Sequence, residues 1–235
     1  IKENRLKSKA VCGIFPARSN ENDEIEVYEP NNKGLLNKFV CLRQQTIKPS
    51  KTPNLSICDF ISSDKKINDY IGCFAVSAGF GSDEFSKIFE DKNDDYNSIM
   101  VKAIADRLAE ATAEYLHERV RKEYWGYNFN ENLDNNQLIA EKYKGIRPAP
   151  GYPACPDHLE KNIIWDLLDV EKNIGIKLTE SLAMWPASSV SGYYFANPEA
   201  KYFGLGKIDK DQLEDYAKRR KISIQLAEKW LNPIL

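Results

Sequence analysis

Arg147-Pro-Ala-Pro-Gly-Tyr-Pro-Ala-Cys-Pro156 places four prolines in ten residues. Proline fixes φ, lacks an N–H and clashes with the preceding helical turn, so this stretch is neither a regular helix nor a central strand. It predicts a rigid, extended loop. Gly151 lets the backbone come close to another group, and Arg147 at the head of the loop offers a planar fork for a carboxylate. Composition leaves two readings of the loop open: a pre-organised site for something small, or a corner tying a helix to the core with Arg147 in an internal salt bridge.

Working outward, Asn136 to Tyr143 reads as a short helix ahead of the loop, and Leu159 to Asp169 resumes helical periodicity after it. From Asp94 to Tyr124, Met100, Ile104, Leu108, Ala111 and Tyr115 recur at spacings of four and three among charges, which predicts one long amphipathic helix stopped by Gly126. At a rise of about 1.5 Å per residue it would reach roughly 45 Å, and a continuous helix argues against a domain boundary inside it. Lys9 to Phe15 reads as a buried strand, and Glu24 to Tyr28 alternates as a half-exposed one, with Asn20 to Asp23 as the turn between them. Phe39 to Leu42 and Asp69 to Ala78 add strands, separated by a broken polar loop over Gln44 to Asn54. Ala183 to Ala196 and Tyr202 to Gly206 read as further strands, and Asp209 to Arg220 and Ile224 to Leu231 as amphipathic helices. With strands and helices segregated more than alternated, and without internal repeats or low-complexity linkers, the pattern predicts a single α+β domain.

Composition excludes several classes. The 235 residues carry 33 Lys+Arg against 35 Asp+Glu, and a net charge of −2 gives no global field for a nucleic-acid backbone. The five cysteines, none closer than 15 positions to the next, form no CxxC pair or disulfide framework, and the two histidines, His117 and His158, sit in no ligand cluster. A reduced, cytoplasmic protein without a zinc site is the expectation. No apolar run approaches the roughly 20 residues of a membrane span, so no membrane is expected. The start at Ile1 shows neither initiator Met nor signal peptide, and reads as a cut inside a longer polypeptide. Gly79-Phe80-Gly81 after a strand has the look of a dinucleotide or methyltransferase glycine loop, but the third glycine and a following βαβ unit are missing. It reads instead as a glycine turn with Ser82 capping a helix, and no cofactor is placed there.

The proline-rich stretch, extended to Arg147-Pro-Ala-Pro-Gly-Tyr-Pro-Ala-Cys-Pro-Asp-His158, resembles the signature of the activation domain of cobalamin-dependent methionine synthase. The likeness continues in order through Gly13-Ile-Phe-Pro-Ala17, Leu42-Arg-Gln-Gln45, Asp69-Tyr-Ile-Gly72, Phe74-Ala-Val76, Asp106-Arg-Leu-Ala-Glu110, Leu116-His-Glu-Arg-Val120, Glu123-Tyr-Trp-Gly-Tyr127, Trp165-Asp-Leu-Leu-Asp-Val170, Thr179-Glu-Ser181 and Met184-Trp-Pro-Ala187. It spans nearly the whole chain.

This resemblance implies a C-shaped, bent antiparallel sheet with flanking helices that binds S-adenosylmethionine, distinct from Rossmann methyltransferases. In the family the Arg-x-x-x-Gly-Tyr motif is the ligand site. Carried over, Arg147 takes the methionyl carboxylate, backbone around Ala149 and Gly151 holds the rest, Tyr152 completes the motif, and Tyr202, followed by Phe203 after the Asn197-Pro-Glu-Ala200 turn, also contacts the ligand. Glu110 and Glu141 match acidic positions near the family's site, where carboxylates suit a sulfonium and an ammonium. Taken singly, each also reads as part of a solvated helix face.

The reaction implied is reductive methylation of cob(II)alamin to methylcobalamin, with an electron from flavodoxin or a similar reductase and the methyl group from S-adenosylmethionine. It asks no acid, base or nucleophile of the domain, only alignment of an already activated methyl group. The chain lacks the family enzyme's Asp-x-His-x-x-Gly cobalamin motif and its zinc cysteines, so cobalamin is expected from another domain or chain, and the full cycle is beyond this chain alone. The resemblance also implies that residues 1–235 are the activation domain without its N-terminal helical segment, which carries an acidic ligand for the amino group. A docking or S-adenosylmethionine-sensing module that no longer delivers a methyl group is the second reading.

Overall fold

Alternating and apolar runs in the first eighty residues form the strands of the sheet: β1 (Lys7–Ser19), β2 (Glu24–Tyr28), β3 (Leu35–Val40) and β4 (Asp69–Phe80). In the computed structural model, which describes residues 5–31, 34–49 and 52–235, these join β7 (Ser189–Tyr194) in the order β3-β2-β1-β4-β7. β1 and β2 pair antiparallel through Ala17↔Val27 and Ser19↔Ile25, and β2 and β3 through Ile25↔Phe39, with a register shift at Val27/Tyr28. Two short strands, β5 (Lys177–Leu178) and β6 (Met184–Trp185), make a separate antiparallel pair. The helices are α1 (Ser82–Glu90), α2 (Asp95–Arg119), α3 (Asn135–Ile139), α4 (Glu160–Leu168), α5 (Val170–Ile174), α6 (Lys210–Arg220) and α7 (Ile224–Leu231).

The chain divides into two compact units, each assembled from three stretches. The first takes Ile1–Gly13, Cys73–Glu131 and Ile164–Gly192, and the second Ile14–Gly72, Asn132–Ile163 and Tyr193–Leu235. In the first, α1 packs on α2, and Asp94 opens α2 by accepting the Asn97 N–H at 3.1 Å. α2 ends in a wider π turn over Val120–Tyr124, where the Trp125 N–H reaches back to the Val120 carbonyl at 3.0 Å. Within that turn Arg121 reaches Glu131 in a buried bidentate ion pair at 2.7 and 2.8 Å, two charges that can stay out of water because each satisfies the other.

The second unit packs Val40 and Leu42 with Leu205, Ile208, Leu213 and Tyr216. A second set of charges is buried here. Arg220 pairs with Asp157 at 2.9 Å and with Glu160, Tyr216 donates its hydroxyl to Asp157, and the Val40 N–H donates to Glu160 at 2.9 Å. Burial pushes the Glu160 carboxyl up to about 8; Arg220 pulls against that rise and Asp157 adds to it.

Several expectations from the sequence are corrected. The stripe Met100, Ile104, Leu108, Ala111 and Tyr115 does not face a core: all five are exposed, and α2 instead buries Ser98, Val101, Ala105, Ala109 and Ala113, one residue and about 100° further round. Small residues let the helix lie close to its neighbours, and apolar periodicity favours the larger side chains beside them. β1 is a strand, but Lys7–Ala10 are exposed and burial begins only at Pro16. Glu24–Tyr28 is more buried than half-exposed, because Glu24 is neutralised by Lys38 at 2.7 Å. Ala183 to Ala196 splits into β6 and β7 around a cis Trp185-Pro186 bond. Tyr202 to Gly206 is not a strand: Gly206 holds φ +79, and the segment is tied down not by a ladder but by the Leu205 N–H on the Pro153 carbonyl at 2.8 Å and the Gln44 side-chain amide on the Gly204 carbonyl at 2.6 Å. Gly81, at φ +86, and not Ser82, occupies the cap of α1; the Ser82 hydroxyl turns back to the Gly79 carbonyl at 2.7 Å. Part of the 44–54 loop and the first four residues lie outside the described residues.

Candidate ligand-binding site

The proline-rich loop belongs to the second unit and is bound into a fixed shape largely by its own atoms. Ile146 and Phe195 exchange both backbone hydrogen bonds, at 3.1 and 3.0 Å, and the Tyr193 N–H reaches the Pro148 carbonyl at 2.9 Å, so the head of the loop lies along the end of β7. Past Pro150 the chain turns sharply: Tyr152 N–H donates to the Ala149 carbonyl at 3.1 Å, Cys155 N–H to Tyr152 at 3.0 Å, and Gly151 N–H to Cys155 at 2.9 Å. The Cys155 thiol adds a bond to the Ala149 carbonyl at 3.0 Å. Burial holds that thiol well above its usual range, so it stays protonated and serves as a donor, not a nucleophile.

Gly151 is a glycine for two reasons. Its φ of +94 is one that side chains rarely adopt, and a Cβ there would sit 2.1 Å from Cε1 of His158. The imidazole is thus packed directly behind the backbone of the turn. Burial, and then Lys161, lowers its pKa, which favours the neutral ring. Just before it, Asp157 accepts the Leu159 N–H at 2.7 Å and so fixes the passage from the loop into α4.

Tyr202 meets the loop from the segment after the Asn197-Pro-Glu-Ala200 turn. Its hydroxyl accepts the Arg147 N–H at 3.0 Å and lies 3.4 Å from the Tyr143 hydroxyl. Phe203 faces the other way, edge-on to Phe60 with ring centres 6.2 Å apart, and anchors the segment in the aromatic core. Of the residues singled out from the sequence, the second unit therefore joins Arg147 to Tyr202 and Ala149 to Tyr152, with Gly151 at the turn between. Tyr152 is 62% exposed and Tyr202 40%, so both rings remain available to a ligand. Beside the turn a cavity of about 400 Å³ is lined by Gly151, Tyr152, Pro156, Leu205 and Ile234, within the range of small-molecule sites.

The two carboxylates lie elsewhere. Glu141 is exposed just past the end of α3, at φ +52, and Glu110 is exposed on α2 in the first unit. There Glu110 lines a cavity of about 280 Å³ with Asp106, Arg107 and Ser188, in which Asp106 accepts the Ser188 hydroxyl at 2.6 Å. A larger groove of about 720 Å³ runs between β1 and α2 in the same unit, but its polar groups are engaged: Ser8 with Thr112 at 2.8 Å, and Lys9 over the Phe80 ring at 4.6 Å. Asp23, Cys58 and Asp59 come within ligand distance of one another, yet Arg43 already takes their charge, at 2.9 Å from Asp23 and 2.7 Å from Asp59. All five cysteines are free, and among the described residues no helix is long and apolar enough to cross a membrane.

Sequence reasoning missed the residues behind the site. Tyr143, His158 and Cys155 carry no separate motif; each takes its role from what stands opposite it after folding. The sequence offered for Tyr143 only a tyrosine four positions ahead of the arginine; its burial is a product of the fold.

Residues 1–221 match the family described as vitamin B12 dependent methionine synthase, activation domain. The chain belongs to that family. Among solved structures, the MetH reactivation domain bound to AdoHcy superimposes with a TM-score of 0.95 at 53% sequence identity, over 100% of this chain and 72% of that one. An activation domain of methionine synthase, a methyltransferase, accounts for the sheet and helices described above.

Proposed function

We propose that this activation domain binds S-adenosylmethionine on the Arg147–Pro156 loop and presents its methyl group for reactivation of oxidised cobalamin. The observation that carries the reading is the pre-formed loop itself, in a chain 53% identical to a reactivation domain holding AdoHcy, the demethylated form of the same molecule. Arg147 pairs with the methionyl carboxylate, an interaction its planar guanidinium makes bidentately. Of the loop's amides, Gly151 N–H is already given to Cys155, so the Ala149 N–H and the Gly151 carbonyl are the groups offered to the ligand. Tyr152 and Tyr202 supply aromatic surface and hydroxyls, while Phe203 holds Tyr202 in place from behind. Glu141, in the same unit as the loop, is the acidic residue offered toward the cationic end of the ligand.

Cobalamin comes from another domain or chain, and an electron from flavodoxin or a similar reductase. When present, and reduced by that electron, the corrinoid would supply the acceptor for the methyl group, while Arg147, Tyr152 and Tyr202 would hold S-adenosylmethionine with its sulfonium toward that acceptor and S-adenosylhomocysteine as the leaving group. The protein's share is alignment and exclusion of water, since the sulfonium is already activated. This chain alone does not run the complete transfer from methyltetrahydrofolate to homocysteine, and its setting is the cytoplasm. The test uses methyl-labelled S-adenosylmethionine, a cobalamin-binding domain and a chemical reductant: label appears on the corrinoid with this chain and not with Arg147→Ala. Label transfer that is equal with and without the chain contradicts the reading.

A further inference from the structure

Tyr202 carries one hydroxyl, and the fold has already committed it on two sides. Its oxygen accepts the Arg147 N–H at 3.0 Å, and the Tyr143 hydroxyl stands 3.4 Å away, at the long end of hydrogen-bond reach. The two tyrosines differ in setting. Tyr202 is 40% exposed and open to a ligand, whereas Tyr143 is buried at 7%, on the segment that leads through Gly145 into Arg147.

We infer that Tyr143 is a positioning residue for the ligand site and acts through Tyr202. The inference rests on the reading of Arg147 and Tyr202 as ligand residues. A phenol attached only through its ring swings about χ1 and χ2; one whose oxygen is held by a backbone N–H and a buried hydroxyl presents its remaining hydrogen-bond capacity in one direction. With the Arg147 N–H directed at the Tyr202 oxygen and the buried Tyr143 hydroxyl beside it, a contact in which either phenol can donate, the Tyr202 ring is held in one orientation toward the ligand. Because the same oxygen holds the Arg147 backbone, loosening Tyr202 also loosens the arginine. Tyr143 thereby touches no ligand atom yet governs two groups that do.

Tyr143→Phe removes the hydroxyl and leaves the ring in the core. Two readouts on the 235-residue chain separate positioning from general stability: amide hydrogen exchange at Arg147 by NMR, and titration with S-adenosylhomocysteine. Tyr143→Phe should speed exchange at Arg147 several-fold and weaken binding about three- to tenfold, as loss of one hydrogen bond does, with the melting temperature little changed. Tyr143→Phe combined with Tyr202→Phe should do no more than Tyr202→Phe alone. Unchanged exchange and affinity in Tyr143→Phe, or losses that simply add in the double variant, overturn the inference. Arg147→Ala separates the two levels: if it binds as the parent does, the ligand-site reading fails and this inference with it, whereas a loss in Arg147→Ala with none in Tyr143→Phe overturns the inference alone.

Discussion

The proline-rich loop and helix α2 reach definite structure by opposite routes. The loop has no hydrophobic period, and its shape comes from individual atoms: a thiol on the Ala149 carbonyl, an imidazole behind Gly151, a phenol on the Arg147 N–H. α2 is strongly periodic, and its shape comes from a repeated rule that any of its turns obeys. The loop is therefore intolerant at single positions, while the helix is intolerant along one face only. That face is the one with small residues. The comparison teaches that a regular pattern locates an element without saying which side is inward, and that an irregular, proline-bearing stretch marks a fixed loop without showing what holds it.

The strongest way to break this contrast is Gly151→Ala. A methyl group there meets His158 and demands a backbone conformation that alanine resists, two costs of about 1 to 3 kcal/mol each. S-adenosylhomocysteine binding should be lost and the loop's amides should exchange freely; a variant that binds normally would show the loop to be far more pliable than its contacts imply. Next in size is the helix. Ala109→Leu on the buried face of α2 should cost about 1 to 3 kcal/mol in chemical denaturation by overpacking, while Leu108→Ser, one residue earlier and 43% exposed, should stay within about 0.5 kcal/mol. A reversed order would restore the large apolar stripe as the core face.

A smaller effect sharpens the comparison at the exit of the loop. The Glu160 carboxyl sits at about 8 in the folded protein, above the roughly 4.3 of an unfolded glutamate. The native state therefore holds a proton that the unfolded chain releases. Its stabilising contribution is complete below pH about 4 and is lost as pH rises through about 8. Glu160→Gln, which stays neutral while still able to accept from Arg220 and the Val40 N–H, should flatten the decline in melting temperature between about pH 5 and pH 9, by several degrees at the upper end. Parallel curves for parent and variant would remove Glu160 as the group responsible.

Much of the fold was legible in the sequence because it is written in local rules. Glu24–Tyr28 alternates in sequence, Asp94 to Tyr124 carries one helical period, and Ile224–Leu231 repeats with helical spacing. Tyr202 to Gly206 misled because a Tyr-Phe pair has strand propensity, which the flanking glycines and the absence of a second ladder partner override. The loop motif was legible because prolines restrict the chain wherever they stand, and the family resemblance runs through it. Its supports were not, since the Tyr143–Tyr202, Cys155–Ala149 and His158–Gly151 contacts pair residues that no spacing rule relates. The same limit hid the buried Arg121–Glu131 pair and the Asp157–Glu160–Arg220 cluster, whose members read as ordinary surface charges in one dimension.

The central claim is that the Arg147 loop is the S-adenosylmethionine site, and isothermal titration of S-adenosylmethionine into the parent chain and into Arg147→Ala tests it most directly. Removing one charge-assisted, bidentate pair should weaken binding by about 1.5 to 3 kcal/mol, roughly ten- to 150-fold, without a change in melting temperature. Equal affinity in the two proteins would take Arg147 out of the site and contradict the account.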